Sequence, residues 1–238
     1  MSDATPLPES APDFWGERVM RYDAFIRRIV PHYDDIAAVL LDYTPPAARV
    51  LELGCGTGNL SLRLVRRDPA AAYTFVDAAP EMLEVARERI RAEAPATAAR
   101  ARFVAARFEE LELDDASHDL VISALALHHV EPIAGVYSAI GRALVPGGAL
   151  RIADGVRGTT ESLHRLHFER WERFWRERDE VDEDEIREVL EHAERHDHYI
   201  PLVEHFRLLG RAGLVGCDCV WRDGLFAILT ADRPFRRG

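Results

Sequence analysis

The chain has 238 residues, 47% of them hydrophobic and 30% charged, enough to bury a core without disulfide or metal staples. Its 41 acidic residues against 30 basic ones give a formal net charge of -11. Such a surface repels phosphate, so nucleic acid and anionic membranes are poor partners. Every basic residue is arginine, which excludes a lysine nucleophile or Schiff base.

Cys55, Cys217 and Cys219 make neither a disulfide framework nor a paired zinc pattern, and they suit a reducing interior. No apolar run reaches the roughly 18 residues a membrane span needs. Residues 1–12 show no basic, then apolar, leader pattern and read as disordered. The expectation is a cytoplasmic, soluble protein, monomer or homodimer.

Residues 13–46 read as a helical arm. Val19, Tyr22, Phe25, Ile26 and Ile29 share one stripe, Pro31 breaks it, and Ile36, Val39 and Leu40 resume it before Pro45-Pro46. Strand and helix then alternate. Strands are expected at 50–53, 73–77, 102–104, 119–123 and 149–153, the last introduced by a Pro146-Gly147-Gly148 turn. Helices are expected at 60–67, 80–92 and 133–144. Buried strands separated by helices imply right-handed crossovers and a parallel sheet covered on both faces.

Residues 159–198 break this rhythm with two amphipathic helical stretches, either a lid or a pair completing the core. Trp171 and Trp175 there read as packing, with an aromatic cage for a quaternary amine as the sharper alternative. The acidic run 179–185 reads as a solvated helix start. A helix over 203–212 ends at Gly213, and strands at 217–221 and 226–230 are joined through an Asp223-Gly224 turn. The expected fold is α/β, a Rossmann-like doubly wound sheet of seven strands. It is mostly parallel, with a C-terminal antiparallel hairpin. It would occupy residues 47–238, with the helical insertion at 159–198.

The informative segment is Val50-Leu-Glu-Leu-Gly54-Cys-Gly56-Thr-Gly58-Asn-Leu60. Glycines directly after a first strand let backbone N–H groups approach a ligand. A dinucleotide fingerprint, G-x-G-x-x-G, would put glycine at 59; Asn59 stands there instead, which disfavours a nicotinamide-dependent dehydrogenase. Asp77 ends the second strand, where an acid accepts ribose hydroxyls.

Five segments in order resemble the class I S-adenosylmethionine-dependent methyltransferases of the small, small-molecule type: VLELGCGTGNL, YTFVDAAPEML, ARFVAARFEEL, DLVISALALHHV and LVPGGALRIAD. The resemblance covers residues 47–154 motif by motif. It implies S-adenosylmethionine as cofactor and S-adenosylhomocysteine as product. It places Gly54, Cys55 and Gly56 along the methionine portion, Glu52 near its amino group, Asp77 at the ribose, and Ala78 and Met82 beside the adenine. Gly58 and Ser123 complete the expected set. Relatives carry an Asp where this chain has Arg107, which cannot accept the adenine amino hydrogen bond; backbone at Arg107 and Phe108, and stacking on Phe108, remain for that contact.

Methyl transfer needs the nucleophile held in line and, for some acceptors, a proton removed. His128 and His129 follow the fourth strand, at the edge where ligands sit in open α/β sheets. The resemblance implies His129 as general base, partnered by an arm tyrosine, Tyr22 or Tyr33. His192 and His196 stand at i and i+4 with Asp197 and His198 following, a metal-compatible spacing that is more often a polar helix end, with His196 or His198 in a substrate pocket as the third reading; no metal is assigned. The expected partner is a small-molecule acceptor. Two alternatives stand beside it. One is tRNA-base modification, which needs a groove from Arg165, Arg170, Arg173, Arg176 and Arg178, though interleaved Glu residues read as helix-surface pairs. The other is a non-catalytic cofactor-binding protein.

Overall fold

The computed structural model describes Val19, residues 21–178 and residues 180–235; the disorder expected of residues 1–12 lies outside them. Seven strands form one sheet: β1 (Arg49–Leu53), β2 (Ala72–Asp77), β3 (Arg102–Ala105), β4 (His118–Ala124), β5 (Leu144–Gly155), β6 (Val215–Asp223) and β7 (Phe226–Asp232). Their order is β3-β2-β1-β4-β5-β7-β6. The neighbours from β3 to β5 are parallel, and β7 is antiparallel to both β5 and β6. The helices are α1 (Tyr22–Ile29), α2 (Tyr33–Asp42), α3 (Asn59–Arg67), α4 (Pro80–Glu93), α5 (Pro95–Ala98), α6 (Ala134–Ala143), α7 (Glu161–Arg178), α8 (Glu183–His196) and α9 (Leu202–Arg211).

Successive residues of a strand point to opposite faces, and the core divides accordingly. Val50, Phe75, Leu120 and Ile122 face one cluster, while Leu51, Leu53, Val76 and Val121 face the other. The first cluster takes in the arm (Phe25, Ile26, Ile29, Ile36, Leu40) and the 159–198 insertion (Trp171, Trp175, Ile186, Val189). The second takes in α6 and α9. The insertion therefore shares the core of the sheet. Trp171 and Trp175 donate their indole N–H groups to the carbonyl of Ile29 at 2.6 and 2.8 Å. That carbonyl ends α1, where intrahelical donors run out. Glu185 grips Arg28 at 2.8 and 3.0 Å, while Asp182 caps α8 in a reciprocal capping box.

Two expected turns sit differently. The Pro146-Gly147-Gly148 segment lies inside β5, which pairs from Leu144 and shifts register before Ala149, so it acts as a bulge rather than an entry turn. The hairpin closes on Gly224 and Leu225, one residue later than expected, because Asp223 still pairs with Phe226.

The sheet order reverses between β1 and β4. The loops after these strands part there and leave the crevice in which doubly wound folds bind ligands.

Candidate active site

A cavity of about 410 Å³ opens at this crevice, inside the range of small-molecule sites. Its first end is the glycine loop. Gly54 has φ +72°, and a Cβ there would lie 2.2 Å from Cβ of Ala126, so only glycine lets the loops after β1 and β4 pack together. Gly56 (φ +53°) borders the cavity with Cε1 of Tyr22 as its nearest neighbour, 3.8 Å from a notional Cβ. Asp77 accepts from the Gly56 N–H at 2.8 Å and the Ala79 N–H at 2.9 Å, which ties the end of β2 to the loop. Enclosure pushes its carboxyl above the ordinary value, and the backbone donors work against that rise. Ala78, Met82, Arg107 and Phe108 complete this wall.

The other expected cofactor residues sit behind or beside the wall. Glu52 is buried below the loop, accepts from Ser61 Oγ at 2.7 Å, and is pushed by burial to about 8. Cys55 is buried in the core, and burial pushes its thiol well up. Gly58 stands at the N-terminus of α3. Ser123 is held in the sheet, donating to the carbonyl of Leu53 at 2.8 Å. These four do not line the cavity.

The arm closes over the loop. Asp23 accepts from Thr57 Oγ1 at 2.5 Å and Asn59 Nδ2 at 3.0 Å, and pairs with Arg89 at 3.0 Å. Asn59, the residue that departs from the dinucleotide pattern, is thus one of the ties between α3 and the arm, beside Arg63 and Arg67. Asn59 also donates to the Tyr33 hydroxyl at 3.1 Å. Of the two arm tyrosines, Tyr22 lines the cavity and Tyr33 does not.

The second end is a cluster of imidazoles and carboxylates. His128 and His129 lie in a short 3₁₀ turn after β4. Asp154, buried in β5, binds His128 twice, through the backbone N–H at 3.0 Å and through Nδ1. On its other side, Nε2 of His128 is 3.7 Å from Oδ1 of Asp197. Nδ1 of His129 lies 2.9 Å from the same oxygen and 3.4 Å from the carbonyl of His196. The Tyr199 hydroxyl donates to Asp197 Oδ2. Nε2 of His192, from α8, is 3.7 Å from Oδ1.

The charges follow from this arrangement. Burial works against a proton on His128, but the Asp154 and Asp197 carboxylates on either side push it up to about 9. Burial and the charge of His128 hold His129 below the ordinary imidazole value. Asp197 is held well below the carboxylate range: burial opposes its charge, but His128 and His129 outweigh it. Burial pushes the Tyr199 hydroxyl well up, so it stays a donor.

The His192, His196, Asp197 and His198 run therefore divides. Asp197 and His192 join the two histidines after β4, whereas His198 turns to Glu131 at 3.0 Å. Asp154 and Tyr199 were missed in the sequence. The first had a signal, an acid at the carboxyl end of a parallel strand; the second had none. Three of the arginines proposed for a tRNA groove are paired: Arg170 with Asp223 at 2.9 Å, Arg176 with Glu172 at 3.0 Å and Arg178 with Glu180 at 3.3 Å.

Residues 50–148, spanning β1 into β5, match the family model described as a methyltransferase domain. The match supports a class I, S-adenosylmethionine-dependent methyltransferase fold for these residues. An uncharacterized methyltransferase of Mycobacterium bovis is 41% identical to the chain over 119 residues, 49% of this chain and 44% of that protein. The chain thus spans less than half the length of that relative. A carboxy-S-adenosyl-L-methionine synthase of Desulforapulum autotrophicum is 29% identical over 97% of the chain and 95% of its own length. Among solved structures, phosphoethanolamine N-methyltransferase 2 of Haemonchus contortus in complex with S-adenosyl-L-methionine superposes with a TM-score of 0.68. It covers 98% of this chain and 61% of that one, at 16% identity. At that identity the likeness speaks for the methyltransferase fold alone. Among the described residues no helix is long and apolar enough to cross a membrane.

Proposed function

We propose that the chain is a methyltransferase that binds S-adenosylmethionine against the Gly54–Gly56 loop and Asp77 and methylates a small-molecule acceptor at the histidine end of the cavity. One observation carries this reading. A single cavity joins a glycine-lined, carboxylate-bearing wall to a cluster of imidazoles. The cofactor fits the wall, since Gly56 leaves room where a side chain would intrude and Asp77 keeps lone pairs beyond its two backbone bonds. When bound, it supplies an electrophilic methyl group on a sulfonium.

The chain's own groups do the rest. The Gly54–Gly56 backbone and Asp77 orient the donor, and Phe108 offers a face to the adenine. Tyr22 and the arm, latched through Asp23, keep water from the methyl group. His129, oriented by Asp197 and kept neutral beside a charged His128, takes the acceptor's proton. A cytoplasmic setting suits three cysteines that are all unpaired.

Modification of a tRNA base is the second reading. It is weakened by the acidic surface and the paired arginines on α7. The test is transfer of labelled methyl from S-adenosylmethionine, with a small-molecule extract and total tRNA as separate acceptors. Label in the small-molecule fraction alone supports the proposal; label in tRNA alone overturns it.

A further inference from the structure

We propose that the cluster closing the acceptor end is a divalent transition-metal site, with His128 Nε2, His129 Nδ1 and Asp197 Oδ1 as ligands and an oxygen or nitrogen of the acceptor completing the shell. The identity of that fourth ligand rests on the function proposed above; the binding of the ion does not.

Three features of the geometry carry it. The three residues come from two separate segments, and one ligand atom from each lies within 4.8 Å of those of the other two. A tetrahedral ion with bonds of about 2.0–2.2 Å sets its ligands roughly 3.3–3.6 Å apart, so a small contraction suffices. The separations to Asp197 Oδ1, 2.9 Å from His129 Nδ1 and 3.7 Å from His128 Nε2, bracket that value.

Two of the three ligands are also aimed by a partner behind them. Asp154 binds Nδ1 of His128, which fixes the ring and turns Nε2 toward Asp197. A carboxylate behind an imidazole is the usual support of a metal-bound histidine. Tyr199 occupies Oδ2 of Asp197 and leaves Oδ1 facing the two rings. A competing partner is the His196 carbonyl, 3.4 Å from His129 Nδ1 and farther than Asp197.

Charge points the same way. Asp154 and Asp197, with side chains 2% and 5% exposed, face each other across His128, and a dication that displaces the ring's Nε2 proton to water balances both. Two imidazoles and one carboxylate, with His192 adjoining at 3.7 Å, suit zinc, iron, nickel or cobalt rather than magnesium or calcium, which prefer oxygen. An acceptor hydroxyl bound to such an ion loses its proton to water while the electron pair stays on the ion-bound oxygen. His129 is then a ligand, and its proton-accepting role belongs to the ion-free protein.

The test uses the full chain, stripped of metal with a chelator and titrated with Co²⁺ by visible absorption and with Zn²⁺ by calorimetry. One ion per chain with tetrahedral cobalt bands is expected. Asp197→Asn should weaken Zn²⁺ by at least about 100-fold, and Tyr199→Phe, which touches only the supporting hydroxyl, by about 10–100-fold. Absence of a saturable site overturns the proposal, as does a site indifferent to both variants. A thiolate-to-cobalt charge-transfer band overturns it too, by placing the ion on cysteine. S-adenosylhomocysteine binding is measured on the same samples. Its loss with metal binding intact counts against the function proposed above, and the converse counts against the metal site alone.

Discussion

Nδ1 of His129 lies 2.9 Å from Oδ1 of Asp197, joining the turn after β4 to the segment that follows α8. The contact makes the 159–198 insertion a contributor to the site as well as to the core. His129→Ala is expected to lower turnover of the identified acceptor by about 10²–10⁴-fold, the usual worth of a general base. S-adenosylhomocysteine affinity, measured by calorimetry, should stay unchanged. An unchanged rate would remove the role given to His129.

Gly54 and Gly56 are expected to respond differently to alanine. At Gly54 the added carbon meets Ala126 at 2.2 Å, so Gly54→Ala should fail to fold or lose several degrees of melting temperature. At Gly56 the nearest atom is 3.8 Å away, so Gly56→Ala should fold at a backbone cost of about 1–2 kcal/mol. It should nonetheless bind S-adenosylhomocysteine at least about tenfold more weakly, because its methyl group enters the cavity. Thermal melts and calorimetry on both variants separate the two effects.

Trp175 is fully buried, and its indole N–H holds the carbonyl at the end of α1. Trp175→Ala should cost about 3–5 kcal/mol in denaturant unfolding. Trp175→Phe keeps most of the apolar volume and should cost less, of order 1–3 kcal/mol, for the lost ring volume and one of the two hydrogen bonds to a carbonyl that Trp171 still holds.

His205 reports on pH. Its Nδ1 lies 2.7 Å from the Tyr137 hydroxyl, and burial pushes the ring down to about 4. Its pKa in the unfolded chain stays near 6.5, so between the two values the unfolded state binds more protons. The contribution of His205 to stability is then complete above about pH 6.5 and falls as the pH drops toward 4, by of order 3 kcal/mol. His205→Gln should flatten this stretch of the stability–pH curve; an unchanged slope would exclude His205 as its source.

The sheet was legible because each strand is a short apolar run bounded by turn residues, and because both faces of β1, β2 and β4 are covered. Turn positions were read less well: Pro146-Gly147-Gly148 reads as a stop, yet pairing continues through it as a bulge. In the glycine-loop wall of the cavity, Gly54, Gly56, Asp77, Ala78, Met82, Arg107 and Phe108 could all be found by motif, since they follow strand ends in order. Glu52, Cys55 and Ser123 lie in the same motifs but face the core or the sheet, and spacing does not distinguish the faces of a loop. The cluster around Asp197 was hardest to see. Asp154, Asp197 and Tyr199 come from β5 and from the segment after α8, and only the tertiary fold brings them to His128. The i, i+4 histidines lie in the segment that reaches this cluster, but Asp197, which follows them, makes the closer contact with the turn after β4.

The most direct measurement is calorimetric titration of the full chain with S-adenosylhomocysteine, S-adenosylmethionine and NAD, repeated on Asp77→Ala. Saturable one-to-one binding of the two sulfur nucleotides, silence with NAD, and at least about a tenfold loss in Asp77→Ala, equal to about 1.4 kcal/mol, are expected. Binding of NAD alone, or no binding of either sulfur nucleotide, would contradict the reading of the glycine loop and the acceptor site built upon it.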